Sequence, residues 1–252
     1  MTFKTLLNSG IVGKYFLENM GQTTATVLMV VAAFLIIVTA YLFGSINFAI
    51  IISGKQYKQD IRNFGSKNAG MTNMMRTYGK KAAGYTLLGD ALKAVAACLI
   101  GRILLGHLGA YIAGLFCILG HIFPVYYKFK GGKGVVTTAI AILMCDPIVF
   151  LILIVLFVII VAFTKYISLG SVICVMLYPI LLDRISRILT GQTTPYAVFA
   201  ILVALLVVFK HWTNIKRLLQ GKESKFSFKK SVKAPESTEA PQVAEAADEN
   251  DK

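Results

Sequence analysis

Long stretches without any charged residue are the feature that most limits how this chain can fold. No charged side chain occurs from Asn19 to Gly54, a stretch of 36 residues. About 20 apolar residues are enough for a helix that crosses the hydrocarbon core of a membrane. The 252-residue chain is 56% apolar and has a mean hydropathy of +0.70, values typical of an integral membrane protein rather than a soluble domain.

The pattern of apolar segments predicts an all-α, polytopic membrane protein with seven spanning helices. One of these segments, Gly134–Cys145, has only 12 residues, about 18 Å of helix, and can cross only if the glycine-rich turn before it enters the membrane. Five or six spans therefore stay open, with the fourth or the sixth segment re-entrant. In chain order, the predicted segments are Thr26–Ile50, Ala82–Gly101, Gly109–Tyr127, Gly134–Cys145, Pro147–Thr164, Ile167–Leu182 and Pro195–Phe209.

Basic residues are concentrated in alternate loops, which predicts the orientation. Seven Lys or Arg lie in residues 53–81 and three in 128–133, and others occur at Lys165 and from Lys210 onward. By the positive-inside rule these loops are cytoplasmic, so the N-terminus is outside and the C-terminus is in the cytoplasm. The loops on the other side hold only Arg102, Arg184 and Arg187.

Charge and composition divide the chain into three parts. The net charge is +14, yet six of the 12 acidic residues follow residue 233. We expect an N-terminal extension (1–24), a membrane domain (25–230) and an acidic tail (231–252) that is disordered because it has few residues to bury. The cationic membrane domain suits anionic lipid headgroups or a phosphorylated substrate. The single cysteines are expected to be buried apolar residues, not metal ligands or disulfides: Cys98, Cys117, Cys145 and Cys174.

Two glycine-bearing stretches are candidates for anion binding. In Lys128–Gly134, glycines allow backbone N–H groups to approach a ligand just before a helix begins, an arrangement that favours anions. The stretch Gly65–Arg76 offers hydroxyl, amide and guanidinium groups to a phosphate or carboxylate, and it is too polar and glycine-rich for a packed helix. Either stretch alone could be an ordinary solvated loop.

Polar residues also occur within or at the ends of the apolar segments. Asp90 and Lys93 share one helix face, as a structural pair or at the border of a site. His121 ends the third segment, where a capping or interfacial role is simpler than catalysis.

Two further polar groups lie on the same predicted side of the membrane. Ser168 and Ser171 begin the sixth segment, where helix capping is the simpler interpretation. His211, Asn214 and Arg217 share a face after the seventh, where an amphipathic juxtamembrane helix is the alternative. The shared side of these groups suggests one pocket for phosphorylated substrates.

Taken together, these motifs resemble the bacterial membrane-bound acyl-phosphate:glycerol-3-phosphate acyltransferases (the PlsY family). Two positions depart from the family pattern: Asn47 stands where proline is usual, and Trp212 where arginine is usual. The matching residues cover nearly the whole membrane domain in the family's order: Gly44-Ser45-Ile46, Gly65 to Arg76, Gly89-Asp90 with Lys93, Gly120-His121 with Pro124, Phe129 to Gly134 with Thr137, Ser168 with Ser171, and His211, Asn214, Arg217, Gly221 and Glu223.

The resemblance implies transfer of a fatty acyl group from acyl phosphate to the 1-hydroxyl of glycerol 3-phosphate. The products are lysophosphatidate and phosphate, in the first step of phospholipid synthesis at the cytoplasmic face of the bacterial cell membrane. The implied catalytic residues are Ser66, Arg76, Lys133, Ser171, His211 and Asn214. The implied substrate-binding residues are Ser45, Asn68, Gly70, Thr72, Asn73, Gly131, Gly132, Gly134 and Glu223.

The resemblance also implies roles and partners. Arg76 and Lys133 would hold phosphates, and N–H groups of Gly131–Gly134 would stabilise the leaving phosphate and the developing oxyanion. His211 is the best candidate for a general base, unless the substrate's own phosphate takes the proton. We expect no cofactor, no metal and no nucleic acid; membrane lipids are expected partners, and a soluble enzyme that produces acyl phosphate is a candidate partner.

Other functions fit the sequence less well. An acyl-CoA-dependent acyltransferase of the soluble type would carry an aspartate five positions after a histidine, but those positions hold Ile112, Tyr126 and Lys216. The glycine-rich turn is not a nucleotide P-loop, because Lys133 is followed by glycine between two membrane segments. A transporter of phosphorylated anions is the main rival, yet only Asp90 and Lys93 are placed deep along a span.

Overall fold

A computed structural model describes residues 10–11 and 21–227, and within residues 21–227 the protein is helical without strands. Short 3₁₀ turns occur at Ile61–Asn63 and Val125–Tyr127. The predicted tail (231–252) and most of the predicted N-terminal extension lie outside the described residues. The nine α-helices of residues 21–227 are α1 (Gln22–Ser45), α2 (Phe48–Tyr57), α3 (Met71–Tyr78), α4 (Lys80–Ile122), α5 (Val135–Cys145), α6 (Pro147–Thr164), α7 (Ile167–Thr190), α8 (Ala197–Lys210) and α9 (Trp212–Leu219).

Helix α4 consists of two antiparallel limbs. Its backbone leaves helical geometry at Leu105 and at Gly106, whose φ of 58° is in the left-handed region that favours glycine. Gly101 and Gly109 then meet backbone to backbone, since a Cβ on either would overlap the carbonyl of the other. Residues eight apart cannot touch in a straight helix. The predicted second and third segments are therefore the two limbs of a tight hairpin.

This contact makes Gly109→Ala a test of the hairpin. We expect the variant to lower the thermal unfolding temperature in detergent, because overpacking of this kind costs about 1–3 kcal/mol. Gly54→Ala is the matched control, because Gly54 is exposed in α2 and nothing surrounds the position of its Cβ. Alanine there should be neutral or stabilising by about 1 kcal/mol at most. Equal unfolding temperatures for the two variants would contradict the backbone contact.

The first predicted segment is divided by a break near residue 46. Helix α1 ends at Ser45, five residues before the predicted end, and Asn47 begins α2 by accepting the Ile50 N–H at 3.1 Å. The amide of Asn47 also donates to the Ala69 carbonyl at 3.2 Å. The residue that replaces the family's usual proline thus caps α2 and ties it to the loop before α3.

Helix α3 corrects the expectation that Gly65–Arg76 is too polar to form a packed helix. The helix is strongly amphipathic: Met74 and Met75 are buried against α2 and the start of α4. Gly70 and Gly79 lie just outside its two ends. Burial of one apolar face stabilises the helix despite its low average hydrophobicity.

The outer surface of the bundle is apolar, as expected for a protein that contacts lipid. Val30, Phe34, Leu151 and Val155 are all more than half exposed. Three helical stretches of the described residues are long and apolar enough to cross a membrane, and α8 with α9, which are bent by 59°, make a fourth if counted as one span. The count of seven spans and the orientation stay predictions. The three stretches are Thr23–Tyr57, Lys80–Tyr127 and Pro147–Thr164.

The short helix α5 links the two ends of the bundle. It begins beside Lys133, and near its other end the Met144 carbonyl accepts a hydrogen bond of 2.5 Å from Arg102, close to the turn of the α4 hairpin. Gly132 and Gly134, just before this eleven-residue helix, are buried, so the helix starts in the interior of the bundle rather than at its edge. The turn before α5 is thereby recessed into the protein.

Candidate active site

A cavity of about 670 Å³ opens at one end of the bundle, where α3, α4, α5, α6 and the α8–α9 bend meet. Residues that are far apart in the sequence line its polar part, so the predicted convergence of the polar loops is observed. Eleven of the predicted site residues line the cavity: Ser66, Asn68, Gly70, Thr72, Asn73, Arg76, Lys133, Gly134, His211, Asn214 and Glu223.

The remaining wall of the cavity is apolar. It is formed by the start of α4, by α5 and by one face of α6, and it runs along α6 from Val161 to Phe150. The sequence does not reveal these lining residues, because helices that are apolar all round carry no periodicity that marks one face. Prominent members of this wall are Leu87, Leu88, Ile140, Phe150, Ile154 and Phe157.

Glu223 organises the polar part of the cavity. One carboxylate oxygen accepts hydrogen bonds from Ser168 at 2.7 Å and Asn214 at 2.6 Å, and the other accepts from Arg217 at 2.8 Å. Burial raises the pKa of Glu223, but the hydrogen bonds from Arg217, Asn214 and Ser168 outweigh this effect and hold the pKa below its usual range. Glu223 is therefore an ionised carboxylate whose hydrogen bonds connect α7 to α9.

Lys133 is the cation connected to Glu223, through Asn214. Its ammonium donates to Asn214 Oδ1 at 2.5 Å, while Asn214 uses its amide N–H on Glu223. Burial lowers the pKa of Lys133 to about 8, although the nearby Glu223 carboxylate opposes the shift. The side chain is thus charged at neutral pH but close to losing its proton.

Arg76 supplies a second cation to the polar part of the cavity. The guanidinium makes one hydrogen bond of 3.3 Å, to the Ser224 carbonyl. Burial lowers the pKa of Arg76 from its ordinary value, but an arginine stays charged in proteins. The guanidinium has five N–H donors and this one acceptor among the described residues, so it can still bind a phosphate.

His211 lies at the bend between α8 and α9, and only 2% of it is exposed. Its Nδ1 lies 2.8 Å from the Val207 carbonyl. A carbonyl only accepts hydrogen bonds, so Nδ1 carries a proton, and in the neutral ring Nε2 is an acceptor. The side chain lines the cavity together with Asn214, as its spacing on one helix face predicted.

Asn73 shapes the loop before α3. Its side-chain oxygen accepts the Ser66 N–H at 2.9 Å, and its amide donates to the carbonyls of Ile61 and Phe64 at 3.2 and 2.9 Å. These bonds hold Ser66 at the cavity.

Four predicted site residues do not line the cavity. Ser45 accepts the Val125 N–H at 3.3 Å, and Ser171 donates to the Ile167 carbonyl at 2.9 Å beside a smaller apolar cavity. The N–H groups of Gly131 and Gly132 donate to the Ile122 and His121 carbonyls, at 3.3 and 3.1 Å. They cap the end of α4, which corrects the expectation that these two groups face an anion.

Besides its apolar wall, the cavity is lined by polar residues outside the predicted set, among them Asp90, His121 and Ser168. The predicted pairing of Asp90 with Lys93 is confirmed by a 2.9 Å ion pair. Ser168 does not cap α7; it binds Glu223.

The cysteines are free and buried as predicted. Among the described residues, no group of three His, Cys, Asp or Glu is placed to hold a metal ion.

Comparison with known proteins points to one family. Residues 34–221 match the sequence profile of a family described as glycerol-3-phosphate acyltransferase. Relatives with that name from Finegoldia magna and Thermoanaerobacter pseudethanolicus are 44% and 42% identical to this chain over 191 and 201 residues. These alignments cover 75% and 80% of this chain, and 93% and 99% of the relatives.

Solved structures agree with the sequence relatives. The fold is similar to a crystal structure of PlsY (YgiH), an integral membrane glycerol 3-phosphate acyltransferase, in its glycerol 3-phosphate form, with a TM-score of 0.70 and 33% identity over 77% of this chain and 96% of that one. For the lysophosphatidic acid form the TM-score is 0.67, with 31% identity over 78% of this chain and 96% of that one. From profile, relatives and fold together, this chain belongs to the glycerol-3-phosphate acyltransferase family.

Proposed function

We propose that this protein transfers a fatty acyl group from acyl phosphate to the 1-hydroxyl of glycerol 3-phosphate, which yields lysophosphatidate and inorganic phosphate. The observation that carries the proposal is the two-part cavity, in which a cationic polar end meets an apolar wall. A phosphate suits the end that holds Arg76 and Lys133, and an acyl chain suits the wall of α4, α5 and α6. The names of the relatives and neighbours support glycerol 3-phosphate as the acceptor.

The chemistry needs one bond to form and one to break. The 1-hydroxyl oxygen of glycerol 3-phosphate bonds to the acyl carbonyl carbon, and the bond between that carbon and the phosphate oxygen breaks. Phosphate leaves with the electron pair. Lys133 and Arg76 stabilise the charge on the phosphates, and the two N–H groups at Lys133 and Gly134, just before α5, are candidates for the developing oxyanion.

The hydroxyl proton has two candidate acceptors. One is Nε2 of His211, the acceptor nitrogen of a buried ring at the cavity, which has no hydrogen-bond partner among the described residues. A phosphate oxygen of the substrate is the other, since acyl phosphate already has a good leaving group. In either case Asn214 and Glu223 orient Lys133.

The distribution of Lys and Arg supports a multi-pass protein of the bacterial cell membrane whose cavity opens toward the cytoplasm. A long-chain acyl phosphate carries a lipid tail and a headgroup, so its carbonyl would lie near this boundary. Glycerol 3-phosphate would enter from the aqueous side, attracted by the basic loops.

The proposal is tested with purified protein in detergent, glycerol 3-phosphate and either palmitoyl phosphate or palmitoyl-CoA. We expect phosphate release and lysophosphatidate only with palmitoyl phosphate. Product from palmitoyl-CoA alone would overturn the choice of donor, while absence of product from both donors would overturn acyl transfer. Glycerol in place of glycerol 3-phosphate is the control for recognition of the acceptor phosphate.

The depressed pKa of Lys133 predicts an alkaline limit on activity. The ammonium is present below its pKa of about 8 and is lost as the pH rises through that value. We therefore expect kcat/KM, which reports the free enzyme, to fall above about pH 8. Lys133→Arg keeps the charge at all these pH values, so whatever activity it retains should lack this alkaline fall. An unchanged alkaline limb in Lys133→Arg would assign the limit to another group.

A further inference from the structure

A buried charged cluster lies beside the cavity and has no part in the proposed chemistry. It consists of Asp90 and Lys93 on the first limb of α4 and His121 on the second, and each residue is less than 5% exposed. Asp90 and His121 line the cavity, and Lys93 is behind them. Removing charged groups from water is costly even when they are paired. Buried charges within a membrane segment are therefore usually kept for a function.

Lys93 and Asp90 together hold the Nδ1 side of His121. The Lys93 ammonium lies 2.9 Å from Asp90 Oδ1 and donates to the carbonyls of Gly44 and Ile46 at 2.9 and 2.5 Å. It also lies 2.9 Å from His121 Nδ1. His121 Nδ1 also lies 3.5 Å from Asp90 Oδ1, so the Nδ1 side of the ring faces both charges of the pair.

His121 contacts the glycine-rich turn that precedes Lys133. Its carbonyl accepts the Gly132 N–H at 3.1 Å, and the Ile122 carbonyl accepts the Gly131 N–H at 3.3 Å. The Nε2 edge of the ring is packed against Gly132 so closely that a Cβ there would overlap it. The next residue is Lys133, whose ammonium reaches Asn214.

We propose that Asp90, Lys93 and His121 are positioning residues for acyl transfer: Lys93, held by Asp90, fixes the His121 ring, and His121 fixes the Gly131–Gly132 turn that places the Lys133 ammonium in the cavity. This inference rests on the proposed function for its kinetic test. The competing explanation is a charge pair that only joins α1 to the α4 hairpin. In that case an apolar pair of similar size would serve equally well.

The main test replaces both charges at once, because Lys93→Met alone would leave Asp90 buried without its partner. The double variant Asp90→Leu/Lys93→Met is expected to stay folded but to unfold at a lower temperature than the wild type. Apolar replacement of the ion pair itself is often neutral, but the Gly44 and Ile46 carbonyls lose the donor that Lys93 provides. We expect its kcat to fall by about 10²-fold, with a much smaller change in KM, because the loss is one of alignment. Wild-type kcat in the folded double variant would overturn the proposal.

Two His121 variants separate the sides of the ring. Gln places its amide near the position of Nε2, whereas Asn places its amide near Nδ1. If the Nε2 side supports the turn, His121→Gln should retain several-fold more kcat than His121→Asn. Equal or greater activity of His121→Asn would contradict the proposed path to Lys133.

A third measurement needs no substrate and so stands apart from the proposed function. Acetylation of lysines by acetic anhydride, followed by mass spectrometry across a pH series, gives the pKa of Lys133 in wild type and double variant. We expect a value of about 8 in the wild type and a rise toward the ordinary lysine value in the double variant. Lys130, exposed in the same turn, should be unchanged. An unaltered Lys133 in the double variant would overturn the positioning role even if the wild type transfers no acyl group.

Discussion

Replacement of Lys133 by methionine is expected to lower kcat for acyl transfer by about 10²–10³-fold, the usual cost of removing one preorganised electrostatic group from an active site. Methionine keeps an unbranched apolar side chain, so the loss isolates the ammonium. In the present structure that ammonium is partly buried in the cavity and hydrogen-bonded to Asn214. In a site with little water, its attraction for phosphate is stronger than that of a surface lysine.

The turn provides its own control for this experiment. Lys130 stands three residues earlier, its side chain is exposed, and it does not line the cavity. Lys130→Met should therefore retain nearly full activity and remove only a surface charge. If both variants lost activity equally, overall positive charge rather than the Lys133 ammonium would be the cause. Release of phosphate from palmitoyl phosphate in the presence of glycerol 3-phosphate measures both.

Replacement of His211 by alanine should reduce turnover to about 1% of wild type or less, because general-base catalysis supplies about 10²–10⁴-fold. The ring is oriented to accept a proton, because Nδ1 donates to the Val207 carbonyl and Nε2 is left as the acceptor. Near-wild-type turnover of the purified alanine variant would eliminate the base role. The proton would then pass to the substrate's own phosphate, and His211 would serve only to orient.

Two further variants show whether lost turnover reflects the missing base or a general effect of replacing a histidine. His211→Asn can still donate to the Val207 carbonyl but has no acceptor at the Nε2 position. A folded and inactive asparagine variant would support the base role, whereas a fully active one would contradict it. His107, at the hairpin end of α4 near Arg102, is the histidine control, and His107→Ala should leave turnover unchanged.

Much of the site could be predicted from the sequence because its polar residues stand out against apolar surroundings. Arg76, Lys133, His211, Asn214 and Glu223 were all expected at one site, from the polar motifs together with the family resemblance, and all line the observed cavity. In a membrane protein a polar residue in or beside an apolar run is costly, so it signals function more clearly than in a soluble protein. Their placement on one side of the membrane was expected from the alternation of basic loops.

The roles of individual groups were harder to predict. Gly131 and Gly132 suggested an anion-binding backbone, yet their N–H groups cap α4. A glycine-rich sequence shows that backbone groups can approach something closely, but it does not identify the acceptor. Likewise, Ser168 and Ser171 are three residues apart on one helix, but only Ser168 reaches Glu223.

The sequence by itself determined that this chain is a helical membrane protein with cationic, glycine-bearing loops, because charge and apolar length are properties of local segments. The tertiary structure decided what depends on contacts between distant segments. Only the tertiary structure shows that residues 80–122 form a hairpin at Gly106 and that one face of α6 lines the cavity. It also shows that His121 contacts the turn before Lys133. Such contacts depend on how distant segments pack and on which acceptor each buried donor reaches. Neither can be read from a local pattern of residue types.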